Sequence, residues 1–474
     1  MVKKISIAWF RQDLRLSDNL SVVAASNLGD ILPIYILDDY YVPDSFKIGS
    51  ASKIWLHHSL DMLNKSLNGN LNIYSGVSSK IIEEIIEKYN VSNVFCNLCY
   101  EPWSAMQAND VKMVCNKRFV NYKEFNSNYL WNPDDILKND QSYYKVFSAY
   151  KNKSYLLSPR KAVENLKKIS TIKDIENKTT LLDLDLIPMK EKWHQKILES
   201  CDIGEMAAQN KFSYFVKNKL SGYKKDRDYP AKNSTSLLSA HLHFGEISPS
   251  KVWEYISNVG KLHAIDCDID HFLSEIIWRE FSCYLLHHSK NIHKDNFNSK
   301  FDNFPWKSNE KHLKAWQYGN TGYPIIDAGM RQLWKTGYMH NRIRMVTASF
   351  LVKNLNIHWH EGRDWFWDCL VDADLANNSA SWQWVAGSGV DASPYFRIFN
   401  PIIQGEKFDK HGDYTKKFVP ELSNLPDKYL FKPWEATEEV LKSAGIILGE
   451  TYPNPIVDLA DSRNKALDLY RGLK

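Results

Sequence analysis

The hydrophobic pattern of this chain changes period part-way along, and few architectures hold both halves. Up to about residue 130, short β-rich runs alternate with helical patterns. Strands are expected at Ile5–Trp9, Ile31–Ile36, Leu71–Tyr74, Val91–Cys96 and in a short run near Val120. Between them lie expected helices at Ser52–Leu67, where Trp55, Leu56, Leu60, Leu63 and Leu67 mark one face, and at Ser79–Tyr89. Such repetition with short apolar strands predicts an α/β domain built on a doubly wound parallel sheet. From about residue 131 to 200 the pattern weakens, and Asn177–Trp193 reads as a long connection over the surface. From about Ile203 onward helical periodicity dominates. Expected helices are Lys251–Val259, with Ser248 as N-cap and Pro249 at the first helical position, then Asp270–His287, Tyr323–Gly337, Asn341–Leu355 and Asp364–Leu370. The expectation is therefore an α/β domain over 1–130, a connector over 131–200 and an all-α domain over 201–474. A length of 474 residues exceeds one ordinary core and agrees with that division.

Several function classes drop out. No G-x-G-x-x-G follows the first strand, so the α/β half lacks the standard dinucleotide fingerprint. No run of about eighteen apolar residues occurs, so no membrane span is expected. The apolar run near the N-terminus is broken by Arg11 and is too short for a signal peptide. The expected location is the cytoplasm. A net charge of +4 points only weakly to a polyanionic partner. The 16 Trp, 25 Tyr and 21 Phe can fill a large aromatic core or offer stacking surfaces for flat ligands and bases. Seven cysteines, an odd and scattered number, make no disulfide framework. Cys96 and Cys99 form a single C-x-x-C with no second pair and no evident helix start beside it, so neither zinc nor redox chemistry is expected there.

Four segments carry candidate chemistry. In "DADLANNSASWQWVAGSGV" (372–390), Trp382 and Trp384 are two apart, which on a helix puts them about 200° apart. Their rings should meet different surroundings. In "MHNRIRM" (339–345), His340, Asn341, Arg342, Arg344 and Met345 cluster where a helix begins, a place that suits anions or a solvated surface alike. In "DYPAKNSTSLLSAHLHFGEISP" (228–249), Thr235, Ser236 and Ser239 supply hydroxyls that can hold a pyrophosphate or simply cap a helix. In "SEIIWREF" (274–281), Glu275 and Arg279 stand at i,i+4, the spacing of an ion pair worth a few tenths of a kcal/mol.

With "WFRQDLRLSDNLSVVAAS" (9–26), "TGYPIIDAGMRQL" (321–333) and "DASPYFRIFNPIIQGEKFD" (391–409), these segments follow one order along nearly the whole chain. In that order and wording the chain resembles the photolyase–cryptochrome family. "WREF", "MHNRIRM" and "WQW" look most like the class I cyclobutane-pyrimidine-dimer photolyases of bacteria.

The resemblance implies a helical domain that binds FAD, and light-driven repair of dimerised adjacent pyrimidines in DNA by an electron from photoexcited reduced FAD. No metal is implied, and the partner is dimer-containing DNA bound by a monomer. Tyr223, Thr235, Ser236, Leu237, Leu238 and Ser239 match the segment along the FAD phosphates and ribityl chain. Relatives often carry Arg or Lys where Leu237 stands, and some have Trp where Phe272 stands. Arg279 belongs to the same cofactor set, Asp372 and Arg344 match a charged pair beside the flavin ring, and Asp374 a contact to its polar edge. Asn378 matches the residue beside the reactive ring nitrogen, where a neutral amide favours the reduced anionic flavin. Trp382, Trp359 and Trp306 match a three-tryptophan chain that brings electrons in from the surface. Trp384 and Trp278 match rings against the extruded dimer, and Glu275, Asn341 and Met345 further dimer contacts. Arg227, Arg342 and Gln404 match contacts to the DNA backbone.

A second, antenna chromophore is left open by the resemblance. Folate-using relatives carry Asn-Glu after the fourth strand, where this chain reads "YEPWSAMQAND" with Trp103 and Ser104, so folate is not expected. A deazaflavin, a second flavin or no antenna remain. Within the family the alternative is a cryptochrome, a blue-light sensor acting through partners. Asn378, where plant-type sensors tend to have Asp, favours repair, as does a chain that stops at Lys474 without a long tail.

Overall fold

A computed structural model describes residues 5–166, 168–187, 193–260 and 265–473. Its N-terminal part holds five strands: β1 (Ile5–Phe10), β2 (Asp30–Leu37), β3 (Asn72–Ser75), β4 (Val91–Asn97) and β5 (Asn121–Phe125). All pair in parallel, in the order β3-β2-β1-β4-β5. Helices α1 (Leu20–Ser26), α2 (Ser50–Ser66), α3 (Ser78–Lys88) and α4 (Pro102–Lys117) make the crossovers. Six consecutive residues of β2 are buried, as a sheet covered on both faces demands. This is the doubly wound sheet expected.

The order reverses between β1 and β4, where such folds take a ligand beyond the strand ends. Here side chains bridge the two strand ends. Asn97 Nδ2 donates to Asn19 Oδ1 at 2.8 Å and to Asp13 at 2.5 Å, and Gln12 Nε2 donates to Glu101 at 2.5 Å. One expectation is corrected nearby. A helix does begin beside the C-x-x-C: α4 starts three residues after Cys99, with Pro102 in its first turn. Pro in the first turn lacks a donor that would be unpaired anyway. Both thiols are free and buried.

The rest of the chain is helical. The helix expected after Ser248 runs over Pro249–Gly260, and Ser248 Oγ accepts from the Lys251 amide at 3.3 Å. A long helix covers Asp266–His288, and others cover Pro324–Thr336, Asn341–Ser349, Trp359–Cys369 and Leu375–Ala386. Two boundaries differ from expectation. The helix expected over Asn341–Leu355 leaves the α form at Ser349 and continues as a π turn, Phe350–Asn354. The one expected to begin at Asp364 begins at Trp359, capped by His358, whose Nδ1 accepts from the His360 amide at 3.1 Å. Histidine is not among the preferred caps, which hid that start.

The stretch 131–200 is more than a surface excursion. It holds α5 (Phe147–Tyr155). Asp174 accepts from Tyr74, Lys88 and Tyr89 at 2.7–2.9 Å, and Thr171 bridges to Ile31 at the sheet. Part of the connection read at Asn177–Trp193, residues 188–192, lies outside the described residues. The two halves interlock. Fully buried Arg15 donates to Asn128 Oδ1 (2.9 Å) and to the carbonyls of Gly245 and Ser127 (2.8 Å each). Trp55 Nε1 donates to Glu246 at 3.1 Å. One hydrophobic cluster joins Ala8, Phe10 and Leu14 with Ala240, Phe244 and Val371. No helix among the described residues is long and apolar enough to cross a membrane.

Candidate functional site

A cavity of about 530 Å³ opens in the helical half. Its wall comes from the Asp266–His288, Asn341–Ser349 and Leu375–Ala386 helices and from the segment 235–239. That segment is fixed by an unusual backbone. Leu237 has φ of 54°, in the left-handed region that side chains other than Gly, Asn and Asp rarely occupy. Such strain is held at ligand clamps, and all five residues, Thr235, Ser236, Leu237, Leu238 and Ser239, line the cavity. The short helix after them, Ser239–His243, has no side-chain cap bond.

Tyr223 and Phe272 pack edge to face at the wall, with centroids 5.6 Å apart. Arg344 Nη2 donates to both Asp372 oxygens at 2.8 and 3.1 Å, and its Nε donates to the Met339 carbonyl at 2.7 Å. Burial opposes the guanidinium charge, but Asp372 and Tyr338 more than offset it and hold its pKa above the ordinary value. Asp374 caps the Leu375–Ala386 helix, accepting from the Asn377 amide at 2.9 Å, and its other oxygen lies 3.3 Å from His243 Nδ1. Burial pushes this carboxyl's pKa up, yet His243, the Asn377 amide and Arg279 together bring it down to about 2. Asp374 is an anion at any physiological pH. Asn378 commits one amide hydrogen to the Arg363 carbonyl at 3.0 Å, which fixes its orientation at the wall.

Glu275, Trp278, Asn341, Met345 and Trp384 also line this cavity. The ion pair expected between Glu275 and Arg279 does not form. Glu275 pairs with Arg227 instead, while Arg279 donates to the Asn128 carbonyl at 2.9 Å and pairs with Glu280 at 3.2 Å. Arg279 finds a more buried partner in Glu280 than the i,i+4 pair offers, and Glu275 is taken by the buried Arg227. Arg227, expected at the DNA backbone, is 9% exposed and faces the cavity. Arg342 and Gln404 lie outside the wall. Arg342 donates to Asp228 at 2.7 Å and lies over the Phe408 ring, and Gln404 sits half-buried on the Pro401–Phe408 helix.

Trp382 and Trp384 diverge as expected. Trp382 is buried, with Phe366 at 5.0 Å and Trp316 at 6.2 Å, both edge-on. Its ring rests on Gly362, where any Cβ would come within 2.0 Å of it. Both tryptophans line the cavity, where Trp384 is half-buried. Trp359 and Trp306 are not in the wall. Trp359 is fully buried one helical turn before Gly362, and His358 links it (5.9 Å) to half-buried Trp306 (5.2 Å).

Three contributors were not foreseen. His243 stands four residues after Ser239, a spacing that could have flagged it. Tyr338 lines the cavity under Arg344. Phe147 stacks face to face on Trp278, with centroids 3.6 Å apart and planes 5° apart, and comes from α5, beyond reach of any local pattern.

The volume is within the roughly 300–1,000 Å³ of cofactor pockets, and the donor set suits a flavin nucleotide. Hydroxyls and a strained turn are the groups that phosphates take, while an ion pair, an anionic carboxylate and an oriented amide are groups that a polar ring edge can bond.

Comparison with known proteins agrees. A family model for the FAD-binding domain of DNA photolyase matches residues 272–472, and a DNA photolyase model matches residues 6–165. A deoxyribodipyrimidine photo-lyase from Agrobacterium fabrum is 43% identical over 99% of this chain and 98% of its own length. Cryptochrome-1 from Arabidopsis thaliana is 33% identical over 97% of this chain and 69% of its own. The crystal structure of a bacterial class III photolyase from Agrobacterium tumefaciens superposes with a TM-score of 0.95 at 42% identity, covering 100% of this chain and 98% of that one. The class I resemblance of the short motifs is not what this structural relative carries, so the shared ground is the family and not the subclass. FAD is the cofactor of this chain's helical half, and the chain belongs to the photolyase–cryptochrome family.

Proposed function

We propose that this protein is a deoxyribodipyrimidine photo-lyase that repairs cyclobutane pyrimidine dimers in DNA under blue light. In this reading it works as a cytoplasmic monomer, with an α/β unit over 1–130, a connector over 131–200 and a catalytic helical unit over 201–474. One observation carries the proposal. A single cavity has both the donor set of a flavin site and a pair of tryptophans, Trp278 and Trp384, with Glu275, Asn341 and Met345 among them.

When bound and fully reduced, FAD would supply light-driven one-electron donation, the chemistry that cleavage of the two inter-base bonds requires. The chain's residues do the rest. Thr235–Ser239 hold the phosphate end, and Arg344 with Asp372 fixes the ring edge. Asn378, locked by the Arg363 carbonyl, presents a neutral amide that tolerates either protonation state of its neighbour. Trp278 and Trp384 offer flat faces that recover part of the cost of extruding two bases, about 1–3 kcal/mol per base. Glu275 and Asn341 hydrogen-bond base edges, and Met345 fills space softly. Arg342 and Gln404 serve the backbone, with Arg227 drawn to it when Glu275 turns to the lesion. Trp306, Trp359 and Trp382 carry electrons inward when the flavin needs reduction.

The test mixes purified protein with dimer-containing single-stranded and duplex DNA, in the dark and under blue light. Dimer loss that requires light supports repair. Flavin absorption without repair instead supports a cryptochrome-type sensor, the second reading that the Arabidopsis relative favours. An extra violet or near-ultraviolet band in the spectrum would reveal an antenna chromophore.

A further inference from the structure

We propose that Asp134, His287 and His288 form a binding site for a divalent transition-metal cation of the zinc type, separate from the flavin cavity. Each residue offers one ligand atom, and these atoms lie within 4.8 Å of one another. His287 and His288 end the Asp266–His288 helix, and Asp134 comes from the short turn Pro133–Asp135, 153 residues from His287. Adjacent residues on a helix diverge by about 100°. Here the chain leaves the helical conformation at Ser289, and the two imidazoles meet edge to face with centroids 4.8 Å apart.

Two further observations point to a ligand. His287 Nε2 already lies 2.8 Å from Asp134 Oδ1. Two donors on one tetrahedral zinc, each at roughly 2.0–2.2 Å, sit about 3.3 Å apart, so this pair needs to open by only about half an ångström. Second, His288 Nε2 is buried with no hydrogen-bond partner. Tyr143 stacks on the His288 ring at 5.0 Å and Tyr284 meets its edge at 4.6 Å, which holds the ring in place.

Two imidazoles and a carboxylate select Zn²⁺, Co²⁺ or Ni²⁺ over the oxygen-seeking Mg²⁺ and Ca²⁺. Water completes the coordination. The bound cation ties the start of the 131–200 stretch to the end of the helix that carries Glu275, Trp278 and Arg279.

The experiment uses the full FAD-loaded chain, stripped with a chelator and titrated with Co²⁺, then Zn²⁺. The expected result is one equivalent of Co²⁺ with visible d–d absorption, displaced by Zn²⁺. Asp134→Asn and His287→Gln, both at the surface and both retaining flavin, should each weaken binding by roughly tenfold or more. Absence of saturable Co²⁺ binding, or equal binding by wild type and both variants, overturns the proposal.

Discussion

Trp382 and Trp384 show how much a two-residue offset decides. A helix turns their rings apart: both line the cavity, but the protein buries Trp382 against Phe366, Trp316 and Gly362 and leaves Trp384 half-buried. The proposed roles separate accordingly. Trp382→Phe should slow flavin photoreduction while sparing repair by enzyme reduced chemically beforehand; transient absorption and a dimer-repair assay on the same preparation check both, and equal loss of the two activities contradicts the relay. Trp384→Ala should weaken binding of dimer-containing DNA by about 5- to 160-fold, the value of one stacking platform at about 1–3 kcal/mol, with photoreduction intact. Phe147 is the subtler case. It is not in the cavity wall, and it stacks on Trp278 at 3.6 Å while meeting Phe281 edge-on at 5.8 Å. Phe147→Ala removes a stacked pair worth about 0.5–1.5 kcal/mol and should raise the dissociation constant for dimer-containing DNA several-fold without changing flavin content. A binding titration decides it. The two tryptophans were legible because both lie in one short motif. Phe147 was not, because its partner is 131 residues away and only the packed fold joins them.

Among the elements, the strands were the easiest to read. Buried parallel strands are continuous apolar runs, and β1, β2 and β4 fall within about a residue of expectation. Helices were read less well wherever their ends use uncommon chemistry. Helix α4 starts on Pro102 after a glutamate with no side-chain cap bond, and the Trp359–Cys369 helix on a histidine cap. The π turn at Phe350–Asn354 follows its α segment without any break in apolar composition, so periodicity could not mark it. The Leu375–Ala386 helix is the most informative element, because its cap is also part of the site. Asp374 satisfies the Asn377 amide and faces His243, and its folded pKa of about 2 lies below the ordinary 3.8. A depressed carboxyl pKa adds stability above the unfolded value. That contribution is full above about pH 4 and is lost as pH falls toward 2. Asp374→Asn keeps an effective cap but removes the charge. The melting temperature of the variant should fall below that of wild type at pH 6, and the gap should close near pH 2. A constant gap across that range contradicts the assignment.

At the scale of the whole molecule, the two halves do not behave as beads on a string. The sheet's own core continues into Ala240, Phe244 and Val371, and Arg15 reaches from the end of β1 to the Gly245 carbonyl. Its guanidinium is fully buried and serves the Asp18, Ser127 and Gly245 carbonyls and Asn128 Oδ1. Removing it strands several buried acceptors, each costing about 1–3 kcal/mol when left unpaired. The flavin cavity lies in the helical half, and Arg279 in its wall donates to the Asn128 carbonyl, next to the Arg15 contact. A loosened junction therefore reaches the cofactor. In guanidinium titrations the wild type should lose far-ultraviolet ellipticity and release flavin fluorescence in one coincident transition. Arg15→Met should lower the midpoint by the equivalent of about 3 kcal/mol or more and split the signals, with one half unfolding first. Coincident transitions in the variant with an unchanged midpoint would mean the halves are held by their other contacts, apolar packing and the Trp55–Glu246 hydrogen bond among them, with Arg15 a passenger. That outcome also discriminates physically. Apolar packing tolerates small shifts between the halves, whereas a directed hydrogen bond from the buried Arg15 guanidinium to the Gly245 carbonyl fixes their registration and helps keep the Arg279 side of the cavity in place.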